Sequence, residues 1–166
     1  MLLDIKGAFD YVLKPKLLVA MQNLKLPLSL INWVESFLFE RSIRLSFDNK
    51  VQNEKPIEIG VLQRSPISPI LCLIYIRDVW QNKAFQLSYM DDFSIATSST
   101  SAKKNCKTLK SVAESLIDKA TEKGVQFEPG KTELIHFHSH RQEETEGLTI
   151  NGHDIKPKSL IQWLGI

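Results

Sequence analysis

The chain has 166 residues, of which 43% are hydrophobic and 24% charged, and its formal net charge is +2. This balance is that of a globular domain with its own core, and it neither requires nor excludes a nucleic-acid partner. No charged leader begins the chain, and its longest apolar run, 67–76, is broken by Ser and Pro and too short to cross a bilayer. Composition therefore predicts an intracellular protein, nuclear or cytoplasmic, rather than a secreted or membrane-embedded one.

The first half of the chain predicts one strand, three helices and a hairpin. A short apolar strand delivers Asp4 to its end, where Gly7 permits a tight turn. Alternating residues on both sides of Asp48-Asn49 predict a hairpin, and Ser65 as N-cap predicts the start of a buried helix. The predicted elements are a strand over 1–5, helices over 15–24 and 28–39, a hairpin ending at Gly60 and a helix over 66–80.

The second half predicts strands around one long helix. Two alternating runs predict a strand, a tight turn and a strand, with the pair Asp91-Asp92 at the tip. Helical spacing with Gly124 as the stop predicts the long helix. The predicted elements are strands over 85–89 and 93–97, a helix over 101–123, strands over 125–127 and 133–137, a hairpin around Asn151-Gly152 and a strand over 163–166. We therefore expect one α+β domain over 1–166, an antiparallel sheet with helices packed on one face.

Three aspartates from two distant segments are the strongest chemical signal. An Asp-Asp pair in a turn is common for conformational reasons, but Asp4 adds a third carboxylate at the end of another predicted strand. Clustered carboxylates repel one another unless a cation is present. Two Mg²⁺ ions held roughly 4 Å apart stabilise the attacking and leaving oxygens of a phosphoryl transfer. Asp4, Asp91 and Asp92 therefore predict a site for two Mg²⁺ ions, with Mn²⁺ as the alternative.

Five motifs in a fixed order resemble the reverse transcriptase domain of non-LTR (LINE-like) retrotransposons, and the resemblance covers essentially the whole chain. They are Asp4-Ile5-Lys6-Gly7-Ala8-Phe9-Asp10, Gly60-Val61-Leu62-Gln63-Arg64-Ser65-Pro66, Tyr89-Met90-Asp91-Asp92, Gly130-Lys131-Thr132-Glu133 and Trp163-Leu164-Gly165-Ile166. The resemblance implies a polymerase palm without most of the fingers and thumb. It also implies RNA-directed DNA synthesis, with an RNA template, a DNA primer and deoxynucleoside triphosphates as partners.

The resemblance assigns a catalytic role to four residues. Asp4 and Asp91 match the family's metal ligands, and Asp92 stands beside the second of them. Lys131 matches a lysine that can protonate the departing pyrophosphate as a general acid. The last motif, 163–166, matches the primer grip.

The resemblance also implies which residues bind substrate. Phe9 matches the aromatic position that blocks a ribose 2′-hydroxyl, and Gln63 the residue that supports the incoming nucleotide and template. Ile5, Lys6 and Arg64 complete the expected substrate-binding set.

The second motif departs from the family, which usually has Pro at Leu62 and Gly at Arg64. A Gly in such a loop permits positive φ or close backbone approach, so the Arg64 side chain is expected to intrude on the nucleotide pocket, although it could instead contact a phosphate. Because of Arg64 and because most of the fingers and thumb are missing, we expect no polymerisation by this chain alone. The alternatives are a non-catalytic relic that at most binds nucleic acid, or the palm of an intron maturase or RNA-templated RNA polymerase. Phe9 and Tyr89 favour DNA synthesis, and the oligomeric state is left open.

Three alternating histidines form a competing metal signal. On a strand, His136, His138 and His140 would share one face, which is a geometry that can hold zinc. Nearby Ser and Arg residues make a solvated strand end the simpler interpretation.

Overall fold

The computed structural model describes residues 1–80, 84–89, 92–138 and 145–162. The predicted metal ligand Asp91 and the predicted primer grip at 163–166 lie outside the described residues. Contacts between residues divide the chain into two compact units, one formed by 1–6 with 78–166 and the other by 7–77. A single palm domain over 1–166 stays a prediction. The first motif is divided between the units, since Asp4 belongs to one and Asp10 to the other.

The unit formed by 1–6 and 78–166 contains a four-stranded antiparallel sheet. Its strands lie in the order β6 (Phe85–Tyr89), β7 (Asp92–Ala96), β1 (Leu2–Lys6) and β8 (Gln126–Phe127), so the N-terminal strand lies between two later ones. A hairpin of β9 (Leu148–Ile150) and β10 (His153–Ile155) forms a second, separate sheet. The unit also contains the helix α4 (Ala102–Lys123) and a one-turn 3₁₀ segment at Pro129–Lys131.

One face of this sheet is apolar and the other carries the acidic residues. Leu3, Phe93 and Ile95 are almost fully buried, whereas the alternate positions of the same strands are not. Helix α4 packs against β7, β8 and β9 through residues at helical spacing. Phe93 stacks on Trp80 with ring centroids 4.9 Å apart and meets Phe127 edge to face at 5.7 Å. The period-2 pattern of the strands therefore leaves the side chains of the opposite face available for chemistry.

The unit formed by 7–77 is built from helices and short hairpins. Helix α1 (Lys14–Asn23) packs against both α2 (Leu28–Leu38) and α3 (Ser68–Ile76). The core of this unit includes the buried residues Leu17, Met21, Val34 and Leu38. Asp48 and Asn49 both have positive φ, as a tight two-residue hairpin turn requires. Its short strands are β2 (Ser42–Ile43), β3 (Ser46–Phe47), β4 (Lys50–Val51) and β5 (Lys55–Pro56).

Most predicted elements are confirmed with small shifts at their ends. The long helix ends at Gly124, which has φ +86° and donates its backbone N–H to the carbonyl of Thr121. Asn151 and Gly152, with φ of +47° and +83°, form the predicted turn of the β9–β10 hairpin. The antiparallel sheet with mixed helix and strand content is thereby confirmed. Within the described residues, no helix combines the length and apolar character of a membrane span.

Two local predictions are wrong. The third helix begins at Ser68, with Ile67 at the N-cap position and no side-chain cap, because Ser65 instead lies in the turns that precede the helix. Residues 133–137 do not form a regular strand: only Glu133 and Leu134 make isolated bridges, to Leu2 and Pro157 respectively. The apolar residues of this segment alternate, but no neighbouring strand pairs with it along its length. Alternation without such backbone pairing does not form a regular strand.

Candidate active site

Asp4 and Asp92 lie directly opposite each other on neighbouring strands. The register of β1 with β7 pairs Leu3 with Phe93 and Asp4 with Asp92. Directly opposed residues of an antiparallel pair project from the same face, with Cβ atoms roughly 5 Å apart, and like charges at that distance are destabilising. The two carboxylates therefore form a concentrated negative site on the face opposite α4.

A lysine reaches this site from the loop after β8. The Glu128 backbone N–H donates to the Asp4 carbonyl at 2.9 Å, and the Lys131 N–H donates to the Glu128 carbonyl at 3.1 Å. This holds the 3₁₀ turn against the end of β1. Lys131 Nζ then donates to Asp4 Oδ2 at 2.8 Å, with the Lys131 side chain 67% and the Asp4 side chain 23% exposed. Such an exposed pair contributes about 0–1 kcal/mol, so its ammonium can give way to another cation.

The site is open on the sheet face. Tyr89 is the partner of Asp92 on β6, and its side chain is 54% exposed. Leu2 and Ser94 continue the same face one pair further along, and both are only partly buried. A substrate can therefore approach the carboxylates without displacing the packed core on the other side of the sheet.

The donor set fits a hard divalent cation. Among the described residues, no group of three or more His, Cys, Asp or Glu side chains converges as a metal cage. Asp4 and Asp92 supply two carboxylates, and Mg²⁺ is commonly bound by one or two carboxylates together with waters and substrate phosphates. Two carboxylates of this kind suit a cation that is shared with the phosphates of a substrate.

The remaining substrate-binding candidates of this unit differ in orientation. Ile5 is 3% exposed and pairs with Phe127, so its side chain belongs to the core and only its backbone is available to a ligand. Lys6 is exposed and two residues beyond Asp4, which places both on the same face of β1.

In the other unit, the loop that starts at Gly60 is fastened to the segment 9–12. The Gly60 N–H donates to the Val12 carbonyl and the Val61 N–H to the Phe9 carbonyl, both at 2.8 Å. A Cβ at Gly60 would lie 3.1 Å from the carbonyl oxygens of Phe9 and Asp10, and the φ of +82° also favours glycine. Phe9, the predicted gate, is half-buried beside this loop.

Arg41 anchors the same glycine from the other side. Its Nη2 donates to the Gly60 carbonyl at 2.8 Å, and its Nε donates to the Leu38 carbonyl at the end of α2 at 3.1 Å. Burial lowers the pKa of Arg41 from its usual value. Both backbone groups of Gly60 are therefore bonded, and the start of the loop is well fixed.

Gln63 and Arg64 occupy the tip of this loop. The Ser65 N–H points to the Leu62 carbonyl at 3.4 Å, so 62–65 form a β-turn in which Arg64 is the third residue. Arg64 has φ +65° and is exposed. A type II turn needs positive φ at this position and prefers Gly there. The departure from the family pattern thus falls on a residue whose backbone is strained.

Sequence reasoning did not find two of the contacts in these loops. The motifs assign no role to Asp10, but its Oδ1 accepts a hydrogen bond from Gln63 Nε2 at 3.0 Å. Lys131 was expected to face a leaving group, and its ion pair with Asp4 was not foreseen. Neither contact has a local sequence signal, because 53 and 127 positions separate the partners.

The described histidines lie elsewhere in the first unit. His136 Nε2 contacts the Glu146 carbonyl at 2.7 Å and lies 3.9 Å from Cys106 Sγ. His136 and His138 line a pocket of about 700 Å³, but the segment 135–138 is not a strand. The less favoured alternative, a zinc site on one face of a strand, therefore lacks its geometric basis in the described residues, and His140 lies outside them. Cys72 and Cys106 are buried, and they are not joined by a disulfide.

The chain belongs to the reverse transcriptase (RNA-dependent DNA polymerase) family, whose sequence profile matches residues 1–166. It is similar to the RNA-directed DNA polymerase from the mobile element jockey of Drosophila melanogaster, with 30% identity over 173 aligned positions. The polymerase of the same element from Drosophila funebris is 28% identical. Each alignment covers 99% of this chain, but the chain spans only 19% of either relative. The predicted family resemblance is confirmed.

Proposed function

We propose that the chain is the palm region of a retrotransposon reverse transcriptase and that its chemistry is nucleotidyl transfer from deoxynucleoside triphosphates to a primer 3′-hydroxyl. RNA would be the template and DNA the primer. The observation that carries the proposal is the direct opposition of Asp4 and Asp92, with Lys131 bonded to Asp4. The family match by itself does not give these contacts, because the three residues come from segments that are distant in the sequence.

The metal-binding assignment follows from the carboxylates. Asp4 and Asp92, together with Asp91, would hold two Mg²⁺ ions, or Mn²⁺ in their place. When bound, the ions would neutralise the charge that develops on the phosphoryl oxygens. The opposed carboxylates support this assignment because their mutual repulsion makes cation binding favourable.

Lys131 is proposed as the general acid. Its ammonium already lies at the carboxylate site, and cation binding at Asp4 would release it from the ion pair. It would then be available to donate a proton to departing pyrophosphate. The high exposure of the Lys131 side chain supports this exchange, because little packing holds it in place.

The substrate-binding roles remain those that the motifs imply. Phe9 would exclude a 2′-hydroxyl, Gln63 would contact the nucleotide, and Lys6 would contribute positive charge near the triphosphate. Ile5 would act through its backbone, because its side chain is buried. Arg64 would obstruct nucleotide binding.

A second candidate is a non-catalytic nucleic-acid-binding domain. The left-handed, exposed Arg64 at the tip of the Gln63 loop favours it, since a charged side chain stands where the family usually has a hydrogen atom. Both candidates share the same family and differ in whether the nucleotide is bound and used.

Primer extension on poly(rA) with oligo(dT), Mg²⁺ and dTTP tests the proposal. We expect the unmodified chain to give no more product than Asp91→Asn, because of Arg64. The Arg64→Gly chain is expected to bind dTTP in the presence of Mg²⁺, and adding Asp4→Asn should abolish this binding. Absence of dTTP binding by Arg64→Gly would contradict the proposed function. Processive product from the unmodified chain would instead refute the obstruction by Arg64.

A further inference from the structure

The hydrogen bond between Gln63 and Asp10 has a defined direction. Gln63 Nε2 lies 3.0 Å from Asp10 Oδ1, in the compact unit formed by 7–77. An ionised carboxylate only accepts hydrogen bonds, whereas an amide can donate through nitrogen or accept through oxygen. Asp10 therefore requires that the amide nitrogen of Gln63 faces it.

The surroundings hold both partners in place. The Asp10 N–H donates to the Gly7 carbonyl at 2.9 Å, which fixes the turn that carries the carboxylate. On the other side, the bonds of Gly60 and Val61 to the segment 9–12 fix the start of the loop that carries Gln63. The side-chain bond is therefore made between two segments that the backbone already brings together.

The consequence concerns the other end of the amide. With its nitrogen committed to Asp10, Gln63 presents Oε1 away from the carboxylate, and both residues are exposed. We infer that Asp10 is a positioning residue that fixes Gln63 as a hydrogen-bond acceptor for a hydroxyl or amine donor of the nucleoside part of the incoming nucleotide. This inference rests on the proposed function, which it deepens by assigning a role to Asp10 and a polarity to Gln63.

The chain offers a charge-conserving swap as the matched control. In Asp10→Asn with Gln63→Glu, the new amide can donate to the new carboxylate, and a carboxylate oxygen still faces outward as an acceptor. The net charge of the pair is unchanged. Asp10→Ala removes the constraint on the amide, and Gln63→Leu removes the acceptor itself. The swap also restores the contact that fastens the loop, so Gln63→Lys is needed to separate the two roles. Its ammonium can pair with Asp10 and fasten the loop, but it offers no acceptor, so only an acceptor role predicts weaker dTTP binding relative to tripolyphosphate.

The contact is tested first by NMR on the full chain. The side-chain NH₂ signals of Gln63 are identified by their disappearance in Gln63→Leu. We expect Asp10→Ala to move them towards the position of a solvent-exposed glutamine. Signals that stay where they are in Asp10→Ala would overturn the inference, because the amide would not be bonded to the carboxylate.

Binding is then measured in the full chain carrying Arg64→Gly, with Mg²⁺ and either dTTP or inorganic tripolyphosphate. Tripolyphosphate lacks the nucleoside, so its affinity reports the proposed metal and phosphate site alone. A hydrogen bond with a net contribution of about 1 kcal/mol predicts that Asp10→Ala and Gln63→Leu weaken dTTP binding roughly fivefold. Tripolyphosphate affinity should be unchanged, and the swap should bind dTTP within about twofold of its Arg64→Gly parent.

The outcomes separate the two proposals. If neither ligand binds the Arg64→Gly parent, the proposed function fails and this inference fails with it. If both bind and Asp10→Ala binds dTTP as tightly as the parent, only the role of Asp10 is overturned. If the swap binds dTTP as weakly as Asp10→Ala, the outward acceptor is overturned.

Discussion

Replacing Arg64 by glycine should stabilise the protein. Arg64 has φ +65° at the third position of the turn 62–65, and its side chain is exposed. The left-handed conformation costs an L-residue about 1–2 kcal/mol, which glycine avoids. Glycine also raises the conformational entropy of the unfolded chain, which offsets about 0.4–1 kcal/mol of the gain. The midpoints of these two ranges give an expected net increase in the free energy of unfolding of about 0.8 kcal/mol.

The increase is measurable by thermal and urea denaturation. For a chain of this size, a change of about 1 kcal/mol moves Tm by roughly 2–4 °C, so Arg64→Gly should raise Tm by about 1–4 °C. Circular dichroism at fixed protein concentration and without added metal gives this value. Urea denaturation should show a higher midpoint with an unchanged slope.

Two control variants separate backbone strain from side-chain effects. Arg64→Ala removes the guanidinium but keeps a Cβ at positive φ, so we expect no comparable gain. Asn151→Gly tests another positive-φ position, φ +47°, where Asn already tolerates the conformation and the change should be small. Equal stabilisation by Arg64→Ala, or no stabilisation by Arg64→Gly, would refute the explanation by backbone strain.

Three further outcomes are expected. Phe93→Ala should lower the free energy of unfolding by about 3–5 kcal/mol, because Phe93 is 1% exposed and contacts two aromatic rings. Phe85→Ala should lower it far less, because Phe85 is 63% exposed. Similar decreases for the two variants in urea denaturation would contradict this packing. Gly60→Ala should lower the free energy of unfolding by more than about 1 kcal/mol, because Gly60 has positive φ and two carbonyl oxygens lie close to the added Cβ. Gly130→Ala should be tolerated, because no atom lies within 4 Å of its added Cβ. Equal Tm values for the two variants would contradict the close contact between the Gly60 loop and the segment 9–12. Mg²⁺ should raise the Tm of the unmodified chain, because a cation at ten times its Kd increases the free energy of unfolding by about 1.4 kcal/mol. Asp92→Asn should reduce this rise in Tm. An equal rise in Asp92→Asn would exclude Asp92 from the cation site.

Local sequence signals correctly predicted the elements whose causes are local. The helix before Gly124 follows from apolar spacing and a glycine able to adopt positive φ, and the Asn151-Gly152 turn from the conformations these residues tolerate. The strand expected over 133–137 failed because alternation does not guarantee a partner strand. Ser65 also shows that a favourable cap residue does not decide where a helix starts. Ser65 lies in the turns before the helix, and the helix begins at Ser68.

The sequence by itself determined the family, through motifs in a fixed order, and the identity of the acidic residues available for catalysis. Only the tertiary structure decided the register that opposes Asp4 to Asp92, the reach of Lys131 to Asp4 and the direction of the Gln63 amide. These contacts join residues far apart in the chain, so their geometry depends on how whole strands and loops pack. Backbone propensity acts over a few neighbouring residues, whereas strand register is selected by burial of one complete face of the sheet.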